Sequence, residues 1–201
     1  ESLWESGLMT YLNVPEAGGT EPSFAEVIET WIELAWQDGS LGWIGIANLP
    51  TTMAASAYLP DAGFAEMFGS GTRVTAGGQF FPHGVGTKVD GGYRLTGSFN
   101  FGSGTGHADY VACGFMPMID GEMVFDMLAA YVPRDDIEFR DGWHGQGLRG
   151  TGSYDYGVND VFVPEHRCFR LFERQPHRGD SPLFKMGLMP MGWMAYSSPT
   201  G

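Results

Sequence analysis

The stretch that decides the fold runs from Gly91 to Phe115: Gly-Gly-Tyr-Arg-Leu-Thr-Gly-Ser-Phe-Asn-Phe-Gly-Ser-Gly-Thr-Gly-His-Ala-Asp-Tyr-Val-Ala-Cys-Gly-Phe. A strand-like segment leads into a polar, glycine-rich bend at Asn100–Gly106, and an apolar strand follows. The bend exposes backbone amides and the Ser103 hydroxyl beside the aromatic plane of Phe101. Glycines let a flat ligand approach the backbone closely, and an aromatic face beside a hydroxyl suits a heteroaromatic ring. These residues alone favour an ordinary β-turn and leave ring binding as the alternative.

The sequence around this stretch is typical of β-structure from Arg73 onward. Asp90-Gly91-Gly92 is a hairpin signal. Short strands joined by glycine turns predict a small sandwich or barrel. The predicted strands are Arg73–Phe80, Lys88–Val89 paired with Tyr93–Phe99, Ala108–Met116, Val124–Val132 and Tyr156–Val163. The Met-, Pro- and Gly-rich segment Pro176–Gly201 is predicted to be irregular.

Residues 1–72 contain ten acidic residues and no Lys or Arg, and their pattern is helical. Apolar residues at 3.6-residue spacing predict a helix from Phe24, with Ser23 and Glu26 at the spacing of a capping box. The further helix signals are a stop at Gly39, a second helix after Ser40, a kink or end at Pro50, and a short helix capped by Asp61 that ends at Gly69.

Composition limits the partners of this 201-residue chain. With 43% apolar residues it can form a core, and its 24 acidic and 11 basic residues give a net charge of −13. Such a chain repels phosphate backbones and anionic membranes, so we expect no nucleic acid or membrane partner. No apolar run is long enough to span a membrane, and no signal-peptide pattern is present. Cys113 and Cys168 lack metal-ligand spacing, so we expect idle thiols, no metal and a cytoplasmic protein.

One nucleotide-binding pattern occurs, Gly145-Gln-Gly-Leu-Arg-Gly150, which matches G-x-G-x-x-G. This motif binds a dinucleotide only between a strand and a helix, because the helix N-terminus receives the pyrophosphate. Here the preceding residues are turn-like and Tyr154–Val163 is strand-like. We therefore predict a turn.

Two runs together resemble the middle β-domain of the acyl-CoA dehydrogenase superfamily. The first comprises Gly92-Tyr-Arg-Leu-Thr-Gly97, Phe99-Asn-Phe-Gly-Ser103 and Ala108-Asp109. The second is Gly147-Leu-Arg-Gly-Thr-Gly-Ser-Tyr-Asp-Tyr-Gly-Val-Asn-Asp-Val-Phe-Val-Pro-Glu-His-Arg167. The upstream Gly18-Gly19 and Asp38–Trp43 resemble the end of the family's N-terminal helical domain, so the resemblance covers residues 1 to about 170.

The departures from the dehydrogenase pattern are informative. Gln79-Phe-Phe-Pro-His-Gly84 replaces an acidic motif, and Phe99 and Phe101 replace a lysine and a tryptophan. These features resemble a side branch, the oxygenase components of two-component flavin monooxygenases, which act on aromatic or polycyclic substrates. An acyl-CoA dehydrogenase and a non-catalytic binding module remain alternatives.

The resemblance implies an α+β fold of three parts. These are a partial N-terminal helical domain at 1–72, a middle β-barrel at 73–170, and a linker at 171–201. We expect the linker to lead to a C-terminal helical bundle outside this chain, because both ends look cut.

The resemblance also implies a flavin, FAD or alternatively FMN. Phe101 would pack on the isoalloxazine, Gly102 would allow close approach, and Ser103 would bond near N5. Backbone groups of Gln79, Phe80 and Phe81 would edge the pyrimidine. Thr151 and Ser153 are the candidate substrate contacts.

No catalytic residue is assigned, since the base of either branch is expected on the C-terminal bundle. His107 is a candidate proton relay, although it and Asp109 fall at positions that the family uses structurally. We further expect a separate flavin reductase as partner and a homodimer or homotetramer.

Overall fold

The computed structural model describes residues 2–71, 73–141 and 143–187. Helix α2 begins after Ser23, whose hydroxyl accepts from the Glu26 amide while the Glu26 carboxylate accepts from the Ser23 amide. This confirms the predicted capping box. The helices are α1 (Ser2–Glu5), α2 (Phe24–Gln37), α3 (Gly39–Tyr58), α4 (Asp61–Phe68) and α5 (Pro182–Lys185), with short 3-10 turns at Leu8–Thr10, Pro15–Ala17, Arg134–Asp136 and Glu165–Arg167.

Helix α3 follows α2 without a loop, because Asp38 ends the first helix and caps the second. Its carboxylate accepts from the Leu41 amide at 2.9 Å. The predicted kink or end at Pro50 is wrong as an end, since α3 continues to Tyr58. Most of its second half is buried, so tertiary packing offsets the hydrogen bond that a proline inside a helix removes.

Helix α4 ends at Gly69 as predicted, but Asp61 does not cap it. The N-cap position belongs to Pro60, which has no capping side chain, and Asp61 is the first helical residue. The Asp61 carboxylate instead pairs with the guanidinium of Arg178 at 2.5 Å. A carboxylate in the first turn of a helix still favours the positive end of the helix dipole.

The strands form one mixed sheet of eight. Its order is β6-β7-β2-β1-β3-β5-β8, with β4 paired to β3, and all neighbours are antiparallel except β1 and β3. The strands are β1 (Ala76–Val89), β2 (Gly92–Gly102), β3 (Tyr110–Ile119), β4 (Glu122–Met123), β5 (Leu128–Pro133), β6 (Glu138–Arg140), β7 (Tyr154–Pro164) and β8 (Cys168–Arg170). In the described residues the sheet is open, so the expected barrel is present only as a sheet without closure.

Two strand predictions differ from the structure. The predicted segments Arg73–Phe80 and Lys88–Val89 fall in one strand, β1, which begins only at Ala76. Its pairing with β3 is irregular between Gln79 and Gly84. A bulge there accommodates Pro82, which cannot donate to the ladder. The predicted strand Val124–Val132 is only β5, because a turn precedes it in which the Asp126 amide donates to the Val124 carbonyl.

The sheet buries apolar side chains on both faces. One cluster joins the helices to the sheet through residues such as Trp31, Tyr58 and Tyr131, all at most 2% exposed. A second cluster lies on the opposite face and includes Phe99 and Phe115. The helical part and the sheet therefore share a core.

Two further predictions concern the ends and turns of the fold. Gly145–Gly150 is not helical and leads into strand β7, which confirms the predicted turn. The predicted irregular segment Pro176–Gly201 contains helix α5 in its described part, and residues 188–201 lie outside the described residues. Among the described helices, none has the length and apolar character needed to cross a membrane.

Candidate functional site

The bend that follows β2 is fixed to the segment before β7 by backbone hydrogen bonds. The Gly104 amide donates to the Thr151 carbonyl at 3.0 Å, and the Gly106 amide donates to the Gly152 carbonyl at 3.2 Å. These bonds bring together the two runs that the sequence separates by about fifty residues. The bend is therefore a defined surface built from both runs.

A chain of side-chain hydrogen bonds runs through this junction. The indole Nε1 of Trp43 donates to the Ser103 hydroxyl at 2.8 Å, and Ser103 lies 2.9 Å from the Ser153 hydroxyl. Ser153 lies 2.6 Å from the Thr151 hydroxyl, which donates to the Leu148 carbonyl at 2.9 Å. Ser103, Ser153 and Thr151, which sequence reasoning assigned to two different roles, thus belong to one network.

Helix α3 positions the bend from behind. The buried Asn48 amide nitrogen donates to the carbonyls of Ala76 and Gly104, at 2.9 and 3.4 Å, and so ties the start of β1 to the bend. Asn48 Oδ1 is buried and has no hydrogen-bond partner. Sequence reasoning missed Asn48 and the role of Trp43. The available signal was a polar side chain within the apolar run Ile44–Pro50.

Phe101 has an unusual backbone for an aromatic residue. Its φ of 58° is left-handed, its side chain is 65% exposed, and its amide donates to Asp155 Oδ1 at 3.2 Å. The ring contacts Trp143 edge-on, with 6.2 Å between ring centroids. A left-handed conformation costs a non-glycine residue about 1–2 kcal/mol. Such strain clusters at functional sites, and here it presents an exposed aromatic face.

Gln79 lies beside this face, on the neighbouring strand. Its side-chain amide donates to the Asn100 carbonyl at 3.3 Å, while its Oε1 is buried and has no partner. The Gln79 backbone amide donates to the Tyr156 hydroxyl at 2.9 Å, which donates to the Ala112 carbonyl at 2.8 Å. Burial raises the pKa of Tyr156 well above its usual value, so this phenol stays neutral.

The phenylalanines of this region have different surroundings. Phe80 is half-buried and its ring contacts Phe169 edge-on at 6.0 Å, within the core between helices and sheet. Phe81 is 64% exposed, and its ring contacts the His83 ring edge-on with 5.0 Å between ring centroids. Phe99 is fully buried, and its ring stacks on that of Tyr156 with 4.9 Å between ring centroids. Phe99 therefore belongs to the core rather than to the surface of the site.

His107 and Asp109 lie next to the bend. The Asp109 carboxylate accepts from the Thr75 amide at 2.8 Å and from its hydroxyl at 3.2 Å, which is a structural role. His107 is exposed, and partial desolvation together with the positive charge of Arg134 lowers its pKa. A neutral imidazole at neutral pH follows from both causes.

The thiols lie away from this chemistry. Cys113 and Cys168 are both buried, and burial raises the pKa of both, that of Cys168 to about 12. Thiols that stay protonated are poor nucleophiles and poor metal ligands. Among the residues that the structure describes, no three His, Cys, Asp or Glu side chains are grouped to hold a metal ion.

Comparison with known proteins finds relatives of one kind. The chain is 32% identical over 204 residues to the flavin-dependent monooxygenase oxygenase subunit HsaA of Mycobacterium tuberculosis, covering 96% of this chain and 50% of that protein. It is 32% identical over 188 residues to an indole-3-acetate monooxygenase of Acinetobacter baumannii, covering 92% and 46%. The chain thus spans about half the length of the curated relatives it matches. No established family profile matches it.

Solved structures agree with this result. The 3-HSA hydroxylase of Rhodococcus sp. RHA1 superposes with a TM-score of 0.90 at 30% identity, covering 98% of this chain and 52% of that one. XiaF from Streptomyces sp., solved with FADH2 and glycerol, superposes with a TM-score of 0.86 at 29% identity, covering 98% and 51%. These proteins have the acyl-CoA dehydrogenase-like fold.

Proposed function

Since this chain belongs to the acyl-CoA dehydrogenase-like superfamily, with oxygenase components among its relatives, we propose that it forms part of a flavin-dependent monooxygenase. The enzyme would use reduced flavin and oxygen to hydroxylate an aromatic substrate. The observation that carries the proposal is the Phe101–Ser103 bend, in which a strained, exposed aromatic ring stands beside a positioned hydroxyl.

The described residues fit an isoalloxazine ring. Phe101 offers an apolar face, and Ser103 offers a hydroxyl beside it. Gln79 supplies a buried Oε1 without a partner on the neighbouring strand, and a donor on the ligand's polar edge would satisfy it. An unpaired buried acceptor costs about 1–3 kcal/mol, which a bound ligand would recover.

Each residue has a distinct part in this proposal. The flavin supplies the oxygen chemistry when bound, and the protein supplies position and polarity. Phe101 and Gly102 would hold the ring plane, Ser103 would bond its polar edge, and Gln79 would bond the pyrimidine side. Phe81 is exposed enough to close over the flavin ring and exclude water. The half-buried Phe80 would instead support this strand from the core, where its ring contacts Phe169.

We propose FAD as the flavin and a separate reductase as its source. XiaF was solved with FADH2, and HsaA is named an oxygenase subunit, a name that implies a second component. The name indole-3-acetate monooxygenase supports a small aromatic substrate. The adjoining rings of Phe101 and Trp143 suit an aromatic substrate better than an anionic thioester.

We also propose that the enzyme is a homodimer or homotetramer. Large apolar side chains are exposed outside the site, among them Trp36 at 85% and Phe125 at 87%. Exposed apolar surface of this kind is typical of interfaces. Sedimentation of the full-length protein tests this, and a monomer at micromolar concentration would contradict it.

The site is tested by flavin binding to the full-length protein. We expect Ser103→Ala to weaken binding of the reduced flavin by about two- to tenfold, which is the contribution of one neutral hydrogen bond. Phe101→Ala should weaken it more, because aromatic contact is lost as well. Phe172→Ala, which removes a ring of similar exposure (60%) outside the bend, is the matched control and should bind like the parent. Equal binding by all three variants would refute the assigned site.

The reaction is tested by two parallel assays. Reduced FAD, oxygen and a phenol or indole substrate should give a hydroxylated product, identified by mass with label from ¹⁸O₂. Acyl-CoA thioesters should leave the spectrum of the oxidised flavoprotein unchanged. Bleaching by an acyl-CoA without oxygenated product would support the dehydrogenase alternative, and absence of any flavin binding would support a non-catalytic module.

A further inference from the structure

The hydrogen-bond chain through Ser103 has no spare proton. It contains four contacts, Trp43 to Ser103, Ser103 to Ser153, Ser153 to Thr151, and Thr151 to the Leu148 carbonyl. An indole N–H only donates, a carbonyl only accepts, and each hydroxyl carries one proton. The indole and the three hydroxyls therefore supply four protons for four contacts.

This balance fixes the direction of every bond. Thr151 gives its proton to the Leu148 carbonyl, so Ser153 must donate to Thr151, and Ser103 must donate to Ser153. Ser103 also accepts from Trp43, which occupies one of its two acceptor positions. The Ser103 hydroxyl is left with one open acceptor position and no proton to offer. Because Thr151 is 1% exposed, water does not readily replace the Leu148 contact.

From this polarity we infer that Thr151 and Ser153 are positioning residues that make Ser103 an acceptor and thereby select the reduced flavin. The inference rests on the proposed function. In a reduced isoalloxazine N5 carries a hydrogen and donates, whereas in the oxidised ring N5 is only an acceptor. With N5 beside Ser103, as the resemblance implies, an acceptor-only Ser103 would pair with the reduced ring and repel the oxidised one. This role replaces the substrate contact predicted for Thr151 and Ser153.

The variant Thr151→Val tests the direction of the chain, since valine keeps the shape and removes the hydroxyl. Ser153 then loses its acceptor and turns its proton to Ser103. Ser103 would accept from both Trp43 and Ser153, and its own proton would become available to an oxidised N5. The Leu148 carbonyl keeps the Thr151 backbone amide as a donor, at 3.4 Å in the parent. We expect the preference between flavin states to reverse.

Two further variants distinguish direction from mere contact. Ser153→Ala leaves the Ser103 proton without its acceptor, so Ser103 can donate or accept and the preference should largely disappear. Trp43→Phe removes a proton and a contact together. The remaining three contacts still have three protons running the same way, and the preference should persist.

The experiment measures dissociation constants of FAD and FMN, oxidised and dithionite-reduced under nitrogen, for the full-length protein and its variants. For Thr151→Val we expect the constant of the reduced form to rise and that of the oxidised form to fall, each by about two- to tenfold. Thr105→Val is the matched control. It removes another buried hydroxyl of the bend, one that donates to the Gly102 carbonyl outside the chain, and should leave the ratio unchanged.

The outcomes separate the two proposals. If the parent binds flavin and folded Thr151→Val and Ser153→Ala keep its ratio, the inference is wrong while the proposed function stands. An equal shift of the ratio in Thr105→Val would also overturn it. If the parent binds neither flavin in either state, the proposed function fails and the inference fails with it. Should Thr151→Val not fold, as judged by thermal melting, Ser153→Ala decides alone.

Discussion

The substitution Gly104→Ala should destabilise the protein because it drives a methyl group into Asn48. A Cβ built on Gly104 would lie 1.9 Å from Asn48 Oδ1 and 2.5 Å from its Cγ. Asn48 is 1% exposed and its amide holds the carbonyls of Ala76 and Gly104, so it cannot move without breaking these bonds. Gly104 also has a φ of +74°, which disfavours alanine.

The expected cost has three parts. The left-handed backbone costs alanine about 1 kcal/mol. Overpacking of a tight site costs about 1–3 kcal/mol, and the hydrogen bonds of Asn48 are worth about 0.5–1.5 kcal/mol each. With both Asn48 hydrogen bonds lost, these predict a loss of about 3–7 kcal/mol in the free energy of unfolding, a large fraction of the stability of a typical domain.

Two controls isolate the steric part of this cost. Gly91 also has a φ of +74°, but a Cβ there meets nothing within 4 Å, so Gly91→Ala measures the backbone cost alone. Adding Asn48→Ala to Gly104→Ala removes the collision, so the double variant should be more stable than additivity predicts.

The assay is thermal unfolding of the full-length protein, with flavin affinity as a second readout. We expect the fall in melting temperature for Gly104→Ala to be at least three times that for Gly91→Ala. Flavin affinity should fall only in Gly104→Ala, because the bend carries Phe101 and Ser103. Equal falls in the two single variants, or full additivity in the double variant, would refute the packing argument.

Two other predictions concern ionisation. Burial raises the pKa of Glu66, but its hydrogen bond to His166 at 2.7 Å and the charge of Arg167 at 2.9 Å outweigh burial and lower the pKa below its ordinary 4.5. The stabilisation by the ionised Glu66 is therefore present above pH 4.5 and is lost as the pH falls through the lowered pKa. Glu66→Gln should have a lower melting temperature than the parent at pH 7, and the two melting temperatures should converge near pH 3. A difference in melting temperature that stays constant with pH would contradict this. Cys113 and Cys168 should react with a thiol reagent at pH 8 only when the protein unfolds, because burial keeps both thiols protonated, and rapid labelling of the native protein would refute this.

Local sequence patterns predicted the elements of this fold well where all the interacting residues lie in one segment. The capping box at Ser23 and the Asp90–Gly92 hairpin turn both appear as predicted, because their hydrogen bonds join residues close in sequence. The errors arise where tertiary structure overrides a local rule. Burial keeps Pro50 inside a continuous helix, and an irregular pairing with β3 lets strand β1 continue past Phe80 through Pro82.

The site was predictable only in part, for the same reason. The aromatic ring and hydroxyl of the bend lie two residues apart, so Phe101 and Ser103 could be singled out from their own segment. Their partners could not, because Trp43 is 60 residues from Ser103 and Ser153 is 50 residues away. No local periodicity indicates which hydroxyls will meet across two strands and a helix.

Helix α3 shows what a sequence-based search for such partners would require. Its polar side chains hold the sheet at successive points: the Ser40 hydroxyl accepts from the Gly150 amide at 3.2 Å, and the Thr52 hydroxyl accepts from the Ala76 amide at 2.9 Å, with Trp43 and Asn48 between them. A helix with polar groups facing a core is unstable unless each group finds a partner. The polar residues of a buried helix therefore indicate where backbone groups of another element must come to meet them. In this chain they indicate the bend and the start of β1, so the helix that lacks any direct place in the proposed chemistry determines the position of the residues that have one.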